Sequence, residues 1–323
     1  MFAIKQVNIE PMTELLRRSA QDKSKELDEL MERLRPNLQF DSEELRILFC
    51  ACSSSNTITV GVPCTQRLQA HAYGYAIILL ALETPGLSPN ERKKLRSHAY
   101  PILNWALSRD LHQWLAQIEG TERPLEDIFA GAGVNLPNAL LSSLTVDQLV
   151  MGEGLFRHAL AFILLHELAH LHYRHKRDDD NFWNREQEKA ADQFAAEWLT
   201  DLSQKPIDRM ANLFGIAIAL LWTTVFDIFF WPRQSETHPP GYDRLYQVLD
   251  QVVDINNDNE KLLIWDFVSR ILFAHCRAAK IQVEPEPTHG LPRDRVNYLI
   301  DLISKKSPPV AHLLQSKRLG RKR

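Results

Sequence analysis

The five residues His166-Glu167-Leu168-Ala169-His170 close an apolar run, Gly154 to Leu165, that reads GLFRHALAFILL, has helix length and contains no proline. On a helix, side chains four apart stand one above the other, so His166 and His170 leave the same face and can share one ion. Ionisable groups inside so apolar a run cost free energy unless they are paired or bind a metal. Neutral imidazole is a good zinc ligand, and two of them leave positions for a third protein ligand and a water. Glu167, beside the pair, is placed to take a proton from water on that metal, which is the chemical content of an HExxH pattern. One zinc ion per chain is expected, with Glu167 as the base.

A third ligand of the metzincin type would need glycine at 173 and histidine at 176, and Tyr173 and Lys176 exclude it. His172 and His175 do not share a face with His166 and His170, so they read as surface histidines or as residues behind the ligands. After a polar turn, the segment 184–202 reads as a second helix, NREQEKAADQFAAEWLTDL. A zinc site of the His, His, Glu type takes a carboxylate from a neighbouring antiparallel helix, and the turn allows this. Glu188 is the expected third ligand, flanked by small residues that let two helices approach, with Glu186 and Glu197 as its competitors. Asp192, one turn on, is placed to accept the free ring N–H of a zinc-bound histidine. Further along, Thr237-His238-Pro239-Pro240-Gly241-Tyr242-Asp243-Arg244-Leu245 holds a stiff Pro-Pro-Gly turn. His238, Tyr242 and Arg244 are the candidates there for stabilising an oxyanion on a tetrahedral intermediate.

The rest of the chain carries fewer signals. Residues 12–34 read as a helix of modest amphipathicity, and 45–52 with 57–62 as a hairpin around Ser53-Ser54-Ser55-Asn56. Helices are expected over 65–82 and from Pro89, the latter kinked or ended at Pro101, with a loop over 120–138. Two or three more helices follow within 246–304. The acidic loop 254–260 lacks EF-hand spacing, so calcium is not expected. The apolar stretch 213–226 is shorter than the ~20 residues of a spanning helix, and lengthening it to 231 would put Asp227 in the bilayer. A buried core helix is expected there rather than a membrane contact. These signals divide the chain into an N-terminal helical region with a short hairpin (1–140), a catalytic region (141–305) and a basic tail (306–323). The size of the first suggests substrate selection.

Of the 323 residues, 45% are hydrophobic and 24% charged, which suits a globular protein, and the net charge of −3 offers no global field for nucleic acid. Four scattered cysteines read as thiols in a reducing compartment, and the N-terminus lacks the apolar region of a signal peptide. The cytoplasm is the expected location.

Taken together, HELAH, EKAAD and THPPGYDRL resemble the gluzincin metallopeptidases, and the third piece is similar to that of the Ste24 and HtpX membrane peptidases. The run FILLHELAHLHYRH, with a short strand pair before a helix in the N-terminal half, more closely resembles the Lit-type phage-exclusion peptidases. The resemblance covers about residues 150–250, more weakly 45–85. It implies a predominantly α-helical α+β protein with a zincin-like core and a small hairpin or sheet. It further implies a cytoplasmic zinc endopeptidase that cleaves a host protein, elongation factor Tu being that family's substrate. Three other readings stay open: a membrane-associated quality-control peptidase of the HtpX kind, an ImmA-type repressor-cleaving peptidase, and a non-catalytic zinc-binding regulator.

Overall fold

A computed structural model describes residues 5–7, 10–41, 49–106, 144–176, 184–200, 205–230, 240–253, 257–283 and 291–306. The fold is α+β and predominantly helical. Its one sheet among the described residues has four short strands, β1 (Lys5–Val7), β2 (Asn37–Asp41), β3 (Phe49–Cys52) and β4 (Thr57–Gly61), in the order β1-β2-β4-β3. The expected hairpin is the β3–β4 pair, with Phe49 opposite Val60 and Cys52 opposite Thr57. Asn56 takes a left-handed φ of 50° in its turn, a conformation asparagine tolerates. β2 pairs with β4 in parallel and β1 closes the other side, so β3 is an edge strand. β1 and β2 were not expected: one is three residues long and the other only five, too short for periodicity to register.

Where the sequence reads one helix over 12–34, the chain forms α1 (Glu10–Ser19) and α2 (Ser24–Leu34) around a 3-10 turn at Gln21–Lys23. The buried positions explain the break. Met12, Leu15, Leu16 and Ala20 before the turn and Leu27 and Leu30 after it pack into one continuous core, and the exposed Gln21 and Asp22 between them anchor nothing there. α3 (Val62–Glu83) follows β4 directly, with proline in its first turn. α4 (Pro89–Ala106) runs through Pro101 instead of ending there. Ala99, Ile102 and Leu103 are fully buried on either side of the proline, and that packing outweighs the lost hydrogen bond. The loop expected at 120–138, the boundary near 140 and residues 307–323 of the basic tail lie outside the described residues.

The remaining helices are α5 (Val146–His172), α6 (Arg185–Leu199), α7 (Pro206–Phe230), α8 (Gly241–Val252), α9 (Asp258–Ala278) and α10 (Pro292–Lys306). α5 is apolar over most of its length, its half-buried side carrying the Glu153–Arg157 pair, and it packs against α1, α3, α6, α7 and β3. Leu155, Phe156, Leu160, Phe162, Leu164, Leu165 and Leu168 are all buried along it. Burying each side chain of this kind is worth about 1.5–3 kcal/mol. Among the described residues α5 alone is long and apolar enough to cross a membrane, yet it is the helix these neighbours enclose. The apolar stretch of α7 is likewise internal, with Leu213, Ile216 to Trp222 and Val225 buried. The polar residues bounding that stretch are used inside the protein. Asn212 donates to the carbonyls of Ser19 (3.1 Å) and Leu199 (2.7 Å) and meets His158 Nδ1 at 2.7 Å, tying α7 to α1, α6 and α5.

One polar cluster sits between α3 and α9, apart from the HELAH segment. Tyr75 hydroxyl meets His275 Nε2, His71 Nδ1 meets the Arg67 carbonyl at 2.7 Å, and the two histidine rings lie 5.2 Å apart. Burial holds His71 down to about 4 and His275 well below its ordinary value. The folded state therefore binds fewer protons here than the unfolded chain between about 4 and 6.5. Stability rises with pH through that window and is lost as pH falls through it. We expect acid unfolding of the wild type to set in below about pH 6.5 and to flatten in a His71→Gln/His275→Gln variant. Denaturant titrations between pH 4 and 7 measure this, and an unchanged slope in the variant would refute it.

Candidate metal centre

Two capped helices set the site. α5 begins at Thr145, whose Oγ1 accepts from the Gln148 N–H (3.3 Å) while Gln148 Oε1 accepts from the Thr145 N–H (2.9 Å). α6 begins in the same way at Asn184 and Gln187, at 2.9 and 3.0 Å. Each reciprocal cap satisfies two otherwise orphaned N–H groups and fixes where the helix starts. In α6 that start fixes the phase that turns Glu188 and Asp192 inward. Ala191, Ala195 and Ala196 are fully buried around them, small enough for close contact with α5.

His166, Glu167, His170, Glu188 and Asp192 are all buried, none more than 6% exposed. The two Nε2 atoms face each other at 3.1 Å. Glu188 Oε2 lies 3.4 Å from His166 Nε2 and Oε1 lies 3.7 Å from His170 Nε2. His166, His170 and Glu188 thus offer three ligand atoms within 4.8 Å of one another, a set able to hold a metal ion. The ring nitrogens facing away are also engaged: His166 Nδ1 meets Asp192 Oδ1 at 2.9 Å and His170 Nδ1 meets His175 Nδ1 at 2.9 Å.

Arg244, on α8, reaches this group from the other side. Its Nε and Nη2 donate to the two oxygens of Asp192 at 2.8 and 2.6 Å, and Nη1 is 3.5 Å from Glu188 Oε2. Burial pushes the Asp192 carboxyl up, but Arg244 and His166 outweigh it and hold the group below its ordinary value. Burial likewise pushes His166 down, and the hydrogen bond and charge of Asp192, with Glu188, raise it to about 10. His170 goes the other way, to about 2, through burial and the positive His166 beside it. The carboxylates thus favour positive charge on His166, and that charge disfavours it on His170. A metal ion held by His166, His170 and Glu188 would answer the same carboxylate charge and compete with protons for the imidazoles.

Glu167 Oε2 accepts the backbone N–H of Ala51 at 2.7 Å, bringing edge strand β3 against the histidine pair. From the β3–β4 turn, Ser53 Oγ lies 3.1 Å from the His170 carbonyl and 2.9 Å from that of His175. Of the other candidates, Tyr242 is half-buried in the first turn of α8, and His238 lies outside the described residues. Three participants escaped the sequence reading, Ala51, Ser53 and Asp227, while His175 takes the second of its two expected places, behind a candidate ligand. The first two act through the backbone or a short hydroxyl, which have no motif. Asp227 had a signal, a charged residue ending an apolar helix. Its Oδ2 accepts the Gly241 N–H at 2.8 Å and so caps α8, and burial raises its carboxyl to about 6.

The comparisons with known proteins bear on this arrangement. Residues 124–268 match the Peptidase U49 family. The match spans the HELAH helix, the EKAAD helix and Arg244, although less than half of the chain, and it supports peptidase activity. No curated protein and no solved structure matches the chain.

Gly241 lets α8 approach α7 closely enough to aim Arg244. A Cβ there would stand 2.6 Å from the Thr224 backbone nitrogen and 2.7 Å from its Cα, and backbone cannot give way as a flexible side chain can. Gly241→Ala is expected to lower stability by roughly 1–3 kcal/mol and to weaken metal uptake with it. Thermal unfolding and chelator competition read the two effects, and wild-type behaviour in both would disprove the close approach.

Proposed function

We propose that this chain is a zinc-dependent endopeptidase of the HExxH gluzincin type, with one zinc ion per chain on His166, His170 and Glu188. The observation that carries the reading is the convergence of the two Nε2 atoms and the Glu188 carboxylate. Their separations of 3.1, 3.4 and 3.7 Å bracket the ~3.3 Å between two ligand atoms of a tetrahedral zinc with bonds of about 2.0–2.1 Å. Two imidazoles and a carboxylate suit zinc, and three protein ligands leave an open position, as a catalytic site requires.

The ion, when bound, supplies Lewis acidity that polarises water and the scissile carbonyl. The protein's own groups do the rest. Glu167, steadied by the Ala51 N–H, takes the water proton on its carboxylate and passes it to the leaving amine. Asp192, fixed by Arg244, keeps the His166 proton on Nδ1 and its lone pair on Nε2. Arg244 thereby acts through Asp192, and His238 and Tyr242 are the proposed donors to the oxyanion. β3, an edge strand against Glu167, is suited to hold an extended peptide by strand addition.

The substrate class is protein. The resemblance to Lit-type peptidases adds elongation factor Tu as substrate, phage exclusion as setting and the cytoplasm as location. Wild-type protein is expected to contain one zinc per chain by elemental analysis, and Glu188→Ala to lose it. Glu167→Gln is expected to keep zinc and to lose cleavage by about 10²–10⁴-fold or more, read by mass spectrometry of new protein termini in a bacterial lysate and on purified elongation factor Tu. Full activity in Glu167→Gln would sink the mechanism. Zinc without any cleavage by the wild type would favour a regulatory protein, and cleavage of other proteins but not of elongation factor Tu would remove only the named substrate.

A further inference from the structure

His166 and His170 are treated differently by the protein around them. His166 Nδ1 rests on a carboxylate, Asp192, whose charge is answered by Arg244. His170 Nδ1 rests on a second imidazole, His175, at 2.9 Å. By sequence spacing His175 points elsewhere, since a residue five positions on does not share the helix face. The backbone brings it back. α5 ends in a Schellman turn: the Arg174 N–H reaches the Leu171 carbonyl (3.2 Å) and the His175 N–H reaches the His170 carbonyl (3.0 Å). Arg174 takes a left-handed φ of 53° in this turn, where glycine is usual. The reversal folds His175 over the last turn of α5, and the Ser53 hydroxyl from the β3–β4 turn sits on both carbonyls. The His175 ring is stacked on Tyr173, with centroids 5.4 Å apart and an angle of 27° between planes.

An imidazole that ligates through Nε2 must carry its proton on Nδ1, so His170 Nδ1 has to donate. We propose that His175 is a positioning residue of the metal centre: its Nδ1 accepts the His170 N–H and fixes the tautomer whose Nε2 faces His166 Nε2 and Glu188. This rests on the metal reading above. The two ligand histidines are thus oriented by unlike groups, one a carboxylate paired with a guanidinium and the other a neutral ring delivered by a helix-ending turn.

Zinc dissociation constants of the full chain, measured by chelator competition on metal-free protein, test the assignment. His175→Ala is expected to bind zinc about 10–100-fold more weakly, with the unfolding midpoint of the metal-free protein unchanged. His175→Asn places an amide oxygen where Nδ1 was and is expected to recover most of the affinity. His175→Gln places its oxygen near the Nε2 position and is expected to behave as alanine does. A purely structural role would lower the metal-free midpoint and would not separate Asn from Gln. Wild-type affinity in His175→Ala, or equal loss in the Asn, Gln and Ala variants, overturns the assignment while leaving the metal site standing. Wild-type protein that takes up no zinc overturns both.

Discussion

The bidentate contact of Arg244 with Asp192 is the interaction on which the rest of the site depends. Glu188 and Asp192 are buried on one helix, one turn apart, and an unanswered carboxylate at such depth is costly. Arg244 answers Asp192 with two hydrogen bonds and approaches Glu188 as well. Removing one partner of a buried pair of this kind typically costs 3–5 kcal/mol because it strands the other charge. The arginine therefore permits two acidic residues to lie against two histidines inside an apolar core. Asp227 and Gly241 serve that contact from a distance, one by capping α8 and the other by letting α8 lie close on α7.

The same centre shows how apolar packing and polar chemistry share one helix. The middle of α5 supplies buried apolar side chains such as Phe156, Leu160, Phe162 and Leu164, and its last turns carry the buried His166, Glu167 and His170. That packing fixes the helix among its neighbours, so the ligands share its position. α6 adds its acidic pair on a helix whose start is fixed by a reciprocal cap and whose neighbours are alanines, so position along the axis and distance to α5 are both set.

How much of this could be read from the sequence follows from range. The HELAH and EKAAD helices were legible because helical periodicity is local and their polar residues break an apolar or alanine-rich pattern. The β3–β4 hairpin was legible for the same reason. β1 and β2 were not, since a strand of three or five residues carries almost no pattern and exists through its partner. The single helix read over 12–34 failed at Gln21–Lys23, where exposed polar residues interrupt the side that packs into the core. His175 was left between the surface and a place behind the ligands, because the face rule that applies within a helix stops where the helix ends. The Ala51 and Ser53 contacts depend on where a strand edge lies in space, which no local spacing encodes. The apolar stretch of α7 was legible as a core helix, and its bounding Asn212 and Asp227 turned out to be partners of other helices.

The hydrogen bonds that join β3 and its turn to α5 link residues 116 and 117 positions apart, and the Arg244 contact closes a further 52. Contacts of this range are paid for in loop-closure entropy before they return any stability. A nascent chain emerging from the ribosome holds the strand edge first, the histidines much later and the arginine later still. Until Arg244 has been made, the acidic face of α6 has only the histidines of α5 to rest on. A product truncated before α8 is left with Asp192 on its acidic helix without the guanidinium that answers it in the fold.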